Sequence, residues 1–194
     1  MNKYIIALTG ASGVIYGIEL TRQLLERGVE IHLVASDPAC IVLKEEMGWT
    51  FTGTVEETFK GHLPYDNLIV YDNQNIAARI ASGSFITDGM VVIPCTMATL
   101  AAIAHGNARN LTERAADVVL KEKRPLWLVP RETPLSAVHL RNMLVLAEMG
   151  VSIIPAMPAF YNHPRKIDDM VLFMVGKVLD GMHIEHDLYT RYDK

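Results

Sequence analysis

Cysteine is scarce in this sequence, which contains only Cys40 and Cys95. Two cysteines are too few for a disulfide framework or a structural zinc site, so both are expected to be reduced, buried thiols. Long apolar runs are also missing, because each is interrupted well before the roughly 20 residues of a membrane-spanning helix. The first residues lead directly into a strand-like stretch without the features of a signal peptide. We therefore expect a cytoplasmic protein with no membrane partner.

Positive charge is in short supply as well. The 18 lysines and arginines are outnumbered by 22 acidic residues, which gives a formal net charge of −4. No nucleic-acid partner is expected, because binding to a phosphate backbone usually needs a basic surface. The chain has 194 residues, half of them hydrophobic, which is typical of one globular domain covering residues 1–194. A small-molecule ligand is the better expectation.

Six apolar stretches rich in β-branched residues alternate with amphipathic stretches. They predict strands at residues 4–8, 31–35, 68–71, 90–93, 126–129 and 151–154. Their continuous apolarity predicts burial on both faces, as in a parallel sheet that helices cover. The alternation of strand and helix therefore predicts an α/β fold with a doubly wound, mostly parallel sheet.

Helical patterns with recognisable ends lie between the strands. They predict helices at residues 14–27, 38–47, 97–105, 111–121, 135–149 and 168–182, and a short helix at 55–59. Asp37 is predicted to cap the second of these helices, with Pro38 in its first turn. Asn110 and Glu113 resemble a capping box at the start of a later helix.

The turn after the first strand is the first candidate site, since ligands of such a sheet bind beyond the carboxyl ends of its strands. It contains Gly10, Ala11, Ser12 and Gly13. These small residues allow backbone N–H groups and the Ser12 hydroxyl to approach an anion at a helix N-terminus. The turn lacks the second glycine of the dinucleotide pattern and the lysine of a P-loop. A tight turn that only requires glycine is the alternative.

Three further turns carry polar side chains. Ser36 follows the second strand, where an NAD-binding fold more typically has an acid. Residues 94–99 end the fourth strand, and their hydroxyls either face a ligand or cap the next helix. Arg131 and Glu132 leave the fifth strand. An adjacent cation and carboxylate suit phosphate binding and proton transfer, and a solvated loop is the alternative.

Charged residues also stand out within the helices. Arg114, Asp117 and Lys121 share one helix face at spacings of three and four. The two cations could bind a phosphate, or the three residues could form a surface ion-pair ladder. Glu45 and Glu46 end a helix, where the helix dipole disfavours acids. One of them is therefore a candidate for chemistry, with simple exposure as the alternative.

Residues 155–164 are rich in proline and aromatic residues, too rigid for a helix and too apolar for a free loop. We expect them to pack on this domain or on a neighbouring subunit. Asp168 and Asp169 resemble part of a magnesium-diphosphate site, but no further acid follows, and we interpret them as acids of a first helical turn. His139 is interpreted as a core or supporting residue.

Several segments together resemble the flavin prenyltransferase family, the UbiX or Pad-type flavoproteins. The resemblance rests on residues 9–13, 81–85, 94–96, 114–122, 130–135, 139–140, 142–144 and 158–161, whose order and spacing are highly specific. It implies a single-domain Rossmann-like (flavodoxin-like) fold with FMN at the sheet edge. It also implies a homo-oligomer, typically a dodecamer, with sites at subunit boundaries.

The resemblance further implies a reaction. Reduced FMN takes a dimethylallyl group from dimethylallyl phosphate at N5 and closes a fourth ring at C6, and the prenylated FMN serves a UbiD-type decarboxylase. Ionising the allylic C–O bond places negative charge on the departing phosphate, which fixed cations in a dry pocket stabilise. The absence of a DD-x-x-D motif fits a reaction that needs no metal. Whether the donor is the monophosphate or the diphosphate stays open.

The family's pattern also implies roles for individual residues. The expected flavin contacts are Gly10, Ala11, Ser12, Ser36, Thr96, Met97, Ala98, Thr99 and Arg131. The residues expected around the substrate phosphate are Arg114, Lys121, Arg131, Tyr161 and Lys177. Glu46 and Glu132 match the catalytic acids, and the other residues expected to take part in catalysis are Arg114, Lys121 and Ser12.

Three positions depart from the family's usual residues. Lys177 replaces arginine, Thr96 replaces serine, and Tyr192 stands where the tail often has tryptophan. Two other functions are alternatives. One is an FMN-dependent cysteine decarboxylase of the same superfamily, whose catalytic histidine has no counterpart at residues 72–85. The other is a non-catalytic FMN carrier, for which the cationic residues would have no purpose.

Overall fold

The computed structural model describes residues 2–191, which form six β-strands and seven α-helices. The strands are β1 (Lys3–Leu8), β2 (Glu30–Ala35), β3 (Leu68–Asp72), β4 (Gly89–Cys95), β5 (Leu126–Pro130) and β6 (Ser152–Ile153). The helices are α1 (Val14–Glu26), α2 (Asp37–Met47), α3 (Val55–His62), α4 (Met97–Ala104), α5 (Leu111–Lys121), α6 (Ala137–Glu148) and α7 (Ile167–Gly181). All six predicted strands are confirmed. Tyr192 lies outside the described residues.

The strands form one parallel sheet in the order β3-β2-β1-β4-β5-β6. β1 lies at its centre, where Ala7 is paired with Val34 of β2 on one side and with Val92 of β4 on the other. This is the strand order of the Rossmann fold, in which the order reverses between β1 and β4. The predicted doubly wound α/β sheet is confirmed. The carboxyl ends of β1 and β4 therefore mark the point where such folds bind ligands.

Side chains of the central strand alternate between two apolar layers. Ile6 and Leu8 of β1 belong to the layer that includes α1 and α7, whereas Ile5 and Ala7 belong to the layer that includes α4 and α5. All four side chains are fully buried. Burying one large aliphatic side chain stabilises a fold by about 1.5–3 kcal/mol, so both layers contribute. The prediction of burial on both faces is confirmed.

The start of α2 differs from the sequence prediction. Ser36, not Asp37, caps this helix, because Ser36 is the last residue with an extended backbone and its hydroxyl accepts a hydrogen bond from the Ala39 N–H at 3.2 Å. Asp37 is the first residue of the helix, where its carboxylate still favours the helix dipole. Ser36 therefore has a structural task at the sheet edge.

Other helix ends also depart from the prediction. Asn110 caps α5 by accepting from the Glu113 N–H at 2.9 Å, but the Glu113 carboxylate accepts from the Arg109 N–H instead of closing a box with Asn110. α3 continues to residue 62 rather than 59, with a capping box at its start. α6 begins at residue 137 rather than 135 because the hydroxyl of Ser136 caps it.

Both cysteines are free thiols. Cys95 is buried and Cys40 is partly buried. Burial, with a smaller effect of Asp37, raises the pKa of Cys40 to about 11, and burial also raises the pKa of Cys95. Within residues 2–191, no helix is long and apolar enough to cross a membrane.

Candidate functional site

Hydrogen bonds connect the turns that follow β1 and β4. The Thr9 hydroxyl donates to the Pro94 carbonyl at 2.7 Å and accepts from the Thr96 N–H at 2.8 Å. The Ser36 N–H donates to the Leu8 carbonyl at 3.0 Å, which adds the turn after β2. The N-termini of α1, α2 and α4 therefore meet at one edge of the sheet, and each contributes partial positive charge there.

The β1–α1 turn is shaped by glycine. A Cβ at Gly10 would lie 2.4 Å from the Cβ of Pro38, so no side chain fits between this turn and α2. Gly13 has a φ of 94°, in the left-handed region that favours glycine. Gly13 is the N-cap residue of α1 and has no side chain with which to cap the helix. The turn therefore has the small residues and the uncapped helix start that an anion site requires.

Glu46 lies directly over this turn. Its carboxylate accepts hydrogen bonds from the Gly13 N–H at 2.9 and 3.3 Å. The position in the last turn of α2 is unfavourable for the helix dipole, and the contact with Gly13 explains what the carboxylate does there. Glu46 also contributes, after burial, to a raised pKa of Tyr16. The structure therefore brings the Glu46 carboxylate to Gly13 in the β1–α1 turn.

The β4–α4 turn uses its hydroxyls for its own helix. Thr96 caps α4 by accepting from the Thr99 N–H at 3.1 Å, and the two hydroxyls lie 3.0 Å apart. Met97 is buried in the core and Ala98 is exposed. A helix cap contributes about 1 kcal/mol, so the capping interpretation is confirmed for Thr96. A cap and a ligand contact are compatible, because the N-terminal amides of α4 remain at the sheet edge.

The β5 turn joins the same edge. The Arg131 N–H donates to the Cys95 carbonyl at 3.4 Å, and its Nε donates to the Ser12 carbonyl at 3.3 Å. Glu132 is exposed and accepts a hydrogen bond from the Thr133 N–H at 2.9 Å. The guanidinium of Arg131 therefore lies at the predicted anion site.

A cavity of about 330 Å³ opens beside Arg131 and Glu132. It lies between the β5 turn, α6 and the segment after β6, and its lining residues include Leu135, Met143 and Met157. The cavity thus joins an apolar wall to one cation and one carboxylate. Pockets that bind small organic molecules usually have this composition.

Lys121 does not reach this edge, and Arg114 makes its contacts elsewhere. Arg114 is paired with Asp117 at 2.8 Å and donates to the Ala81 carbonyl at 3.2 Å, which confirms one step of the predicted ion-pair ladder. α5 starts near the carboxyl end of β3 and ends at Lys121, just before β5 begins. Because Arg131 follows the other end of β5, roughly 15 Å of strand separates it from Lys121.

The loop of residues 81–85 packs against the residues that follow α5, and the sequence predicted no role for it. Arg124 donates to the Gly83 and Phe85 carbonyls at 2.6 and 2.8 Å, and a Cβ at Gly83 would meet the Glu122 carboxylate. The Ser-Gly-Ser run at 82–84 was the available signal. We name Arg114, Lys121 and residues 81–85 the cationic face.

Tyr161 and Lys177 lie on the α7 side of the molecule. The Tyr161 ring packs edge-on against Phe173 with centroids 5.8 Å apart, and the Lys177 ammonium lies 3.8 Å from an Asp180 carboxylate oxygen. The Ala156 N–H donates to the Pro130 carbonyl at 3.0 Å. Residues 155–164 form no helix and pack on this domain only in part, because Met157, Phe160 and Tyr161 are exposed, so packing on a neighbouring subunit stays a prediction.

Two polar residues have structural tasks. Asp169 accepts hydrogen bonds from the N–H groups of Arg165 and Lys166 at 2.8 and 3.2 Å, which confirms it as a first-turn acid and lowers its pKa. His139 accepts at Nδ1 from the Ser136 N–H at 3.2 Å and completes the cap of α6. Among residues 2–191, no cluster of three or more His, Cys, Asp or Glu could hold a metal ion.

The chain is similar to characterised proteins over almost its entire length. The model of the family described as Flavoprotein matches residues 1–179. A flavin prenyltransferase UbiX of Alkalihalophilus pseudofirmus is 50% identical over 190 residues, with 96% of this chain and 94% of the relative covered. The flavin prenyltransferase LpdB of Lactiplantibacillus plantarum is 43% identical over 197 residues, with 100% and 99% covered.

Solved structures agree with this similarity. A UbiX protein in complex with FMN and dimethylallyl pyrophosphate superposes with a TM-score of 0.90 at 40% identity, with 100% of this chain and 98% of that chain covered. A UbiX-like decarboxylase of Escherichia coli O157:H7, described as dodecameric and FMN-dependent, has a TM-score of 0.89 at 46% identity and coverage of 99% and 100%. An FMN-dependent cysteine decarboxylase shares only the fold, with a TM-score of 0.60 at 20% identity, 79% of this chain and 89% of that chain being covered.

Proposed function

Because this chain belongs to the Flavoprotein family and is one of its flavin prenyltransferases, we propose that the sheet edge at β1 and β4 binds FMN. The reaction that we assign transfers a dimethylallyl group from dimethylallyl phosphate to N5 and C6 of reduced FMN. One observation carries the placement. Arg131 donates to the Ser12 carbonyl at 3.3 Å, which brings a cation to the uncapped start of α1.

The residues present at this edge fit a flavin phosphate. Gly10, Ala11 and Ser12 leave room at the α1 N-terminus, and a Cβ at Gly10 would collide with Pro38. Ser36 and the residues 96–99 place two more helix N-termini beside it. Helix N-termini attract anions through their free N–H groups and their dipoles. When bound, the reduced flavin supplies the nucleophilic atoms of the reaction.

The cations of the chain act on the departing phosphate. When the allylic C–O bond breaks, negative charge collects on the phosphate, and positioned cations stabilise this charge as it forms. Arg131 lies at the sheet edge, whereas Lys177, Arg114 and Lys121 lie on two other surfaces of the same chain. The site is therefore complete only if another copy supplies part of it.

In a homo-oligomer, two copies can together supply all of these cations to one site. We assign the cationic face to the site of a neighbouring copy, because Lys121 and Arg131 lie at opposite edges of the sheet. α6 supports this assembly, since only Asn142 and Leu146 of this helix are buried. Its exposed apolar residues are Val138, Leu140, Leu144 and Val145. An apolar surface of this kind is typical of a subunit interface, and one relative is described as a dodecamer.

Glu132 and Glu46 are the candidates for proton transfer. C6 must lose a proton when the ring closes, and a carboxylate within reach can accept it. Glu132 lines the 330 Å³ cavity, and Glu46 lies at the β1–α1 turn. The prenylated FMN would pass to a UbiD-type decarboxylase. The two free thiols, Cys40 and Cys95, support a reducing compartment, the cytoplasm.

The test is the mass of the flavin after anaerobic incubation. Purified protein with reduced FMN and dimethylallyl monophosphate is expected to yield prenylated FMN, and the diphosphate is tested in parallel to identify the donor. A non-catalytic carrier would return FMN unchanged. A cysteine decarboxylase would consume a peptide with a C-terminal cysteine and leave the flavin mass as it was. Either result would contradict the proposal.

A further inference from the structure

Asp180 collects an unusual number of partners in the last turn of α7. Its Oδ2 accepts from the Tyr189 hydroxyl at 2.5 Å, and its Oδ1 accepts from Arg191 at 2.8 Å and from His186 Nε2 at 3.1 Å. Lys177 lies 3.8 Å away. Burial alone would raise the pKa of Asp180, but the hydrogen bonds from these groups lower it to about 2. The carboxylate is therefore charged throughout the neutral range.

Three of these partners belong to residues 183–191, which we name the C-terminal segment. The segment lies across α7 at Gly176, where a Cβ would come within 2.6 Å of the Tyr189 ring and 2.8 Å of the His186 ring. The His186 side chain is fully buried, and its Nδ1 accepts from the Leu188 N–H at 3.2 Å, which leaves Nε2 as the donor to Asp180. Gly176, against which the two rings pack, and Asp180, which accepts the hydrogen bonds of the segment, are one helical turn apart on α7.

The C-terminal segment continues into a row of aromatic rings. Tyr189 packs on Phe173 with centroids 5.0 Å apart, and Phe173 packs edge-on against Tyr161 at 5.8 Å. Asp180 thus contacts Lys177 directly and reaches Tyr161 through two rings. Both residues are assigned to the substrate phosphate by the resemblance to the family.

We propose that Asp180 is a positioning residue: it anchors the C-terminal segment on α7 and thereby fixes Lys177 and Tyr161 for the substrate phosphate. The inference rests on the proposed function in one respect, since it takes these two residues as phosphate ligands. Asp180 itself contacts no reacting atom. Replacing Asp180 by Asn removes its charge and turns one of its two acceptor oxygens into a donating NH2 group, so either His186 or the Tyr189 hydroxyl loses its acceptor, which favours release of the segment.

The experiment compares Asp180→Asn with the wild-type oligomer, FMN bound. Hydrogen exchange within residues 183–191, including the Leu188 amide, is expected to become at least about tenfold faster. The KM for dimethylallyl phosphate is expected to rise about tenfold, with kcat changed by less than about threefold and FMN affinity within about twofold. Tyr189→Phe keeps the ring and removes one hydrogen bond, so a smaller change is expected. Asp180→Glu keeps the charge and is expected to recover part of the loss.

The matched control is Glu56→Gln, which removes a carboxylate from the exposed pair with Lys60 on α3. Neither exchange nor the KM is expected to change there. Unaltered hydrogen exchange in Asp180→Asn would show that Asp180 does not anchor the C-terminal segment. Faster exchange with an unaltered KM would show that the segment does not position Lys177 and Tyr161 for the phosphate. If the wild-type protein makes no prenylated FMN, the proposed function fails, and with it the phosphate part of the inference. The hydrogen-exchange measurement would still test separately whether Asp180 anchors the C-terminal segment.

Discussion

Glu132 shows most directly what a single residue contributes. It is exposed at the cavity next to Arg131 and accepts a hydrogen bond from the Thr133 N–H. Glu132→Gln keeps the size of the side chain and removes the proton acceptor. We expect prenyl transfer to slow by about 10²–10⁴-fold, because a positioned base contributes that much, while FMN affinity stays unchanged.

Single-turnover mass spectrometry of the flavin measures this effect. Glu148→Gln provides the control, because Glu148 is exposed at the far end of α6 and lines no part of the cavity. Ordinary yields of prenylated FMN from Glu132→Gln would mean that Glu132 is a solvated loop acid.

The sequence predicted the positions and contacts of some single residues and missed those of others. Glu46 was selected as a candidate for chemistry because an acid at a helix end is unfavourable. The structure places its carboxylate against the Gly13 N–H, and its part in the chemistry stays a prediction. Ser36 and Thr96 both cap helices, because a side-chain oxygen at a helix start serves the nearest N–H first, and the sequence had suggested this cap only for residues 94–99. Their expected contact with the flavin stays a prediction. Asp180 was missed, since its partners are up to eleven residues away and the sequence shows no spacing rule for them.

At the scale of elements, the contact between the β1–α1 turn and α2 depends on Gly10. A methyl group there would lie 2.4 Å from Pro38, so Gly10→Ala must push α2 and Glu46 away from the turn. We expect a loss of about 1–3 kcal/mol in the free energy of unfolding and a clear loss of FMN affinity. Gly61 on α3 has open space around it, and Gly61→Ala is the matched control. Denaturant unfolding and flavin titration measure both, and equal results for the two variants would contradict the close contact.

β2 carries a buried histidine that makes stability depend on pH. His32 lies between the Tyr71 hydroxyl at 2.8 Å and Glu30 at 2.9 Å, and burial lowers its pKa despite the opposing effect of Glu30. The folded protein therefore resists protonation, while the unfolded chain takes up a proton below about pH 6.5. Stability is expected to be level above that pH and to fall between pH 6.5 and 5.

Thermal unfolding at pH 7 and pH 5 tests this expectation. His32→Gln retains polar atoms without the titration, so its Tm is expected to fall less over this interval. Glu30 has a lowered pKa and loses its contribution only below about pH 4.5, outside the window. An equal fall in both proteins would assign the pH effect to other groups.

The elements were easier to predict than their ends. Continuous apolar runs identify the six strands because a strand covered on both faces needs them. The end of α3 was placed three residues early, because Gly61 interrupts the pattern, whereas the contact of Phe59 and Leu63 with the core continues the helix. Helix ends depend on tertiary contacts that a local pattern does not contain.

At the scale of the whole molecule, the division of the site between copies has a direct test. Lys121→Ala and Glu132→Gln are each expected to lose about 100-fold or more in prenyl transfer, with FMN binding nearly intact. Co-expression of the two variants is expected to restore roughly a quarter of the activity, because some sites in a mixed oligomer then receive both intact residues.

Light scattering provides the accompanying control, since the wild-type and mixed proteins must have the same mass. Recovery only upon mixing shows that Lys121 and Glu132 of one site come from different chains. No recovery in a confirmed mixed oligomer would place both residues in the same chain, against the opposite edges observed. A fully active monomer would contradict the assembly as a whole.

The placement of Lys121 and Glu132 at opposite edges also determines how a mutant subunit affects the wild-type subunits with which it assembles. If each site joins two chains, a mutant subunit that lacks these residues still enters the oligomer. It then inactivates sites to which a wild-type subunit contributes the other half. When half of the chains lack both residues, only about a quarter of the sites remain intact, rather than half. Such a mutation would be partly dominant, because the activity would depend on the ratio of wild-type to mutant subunits.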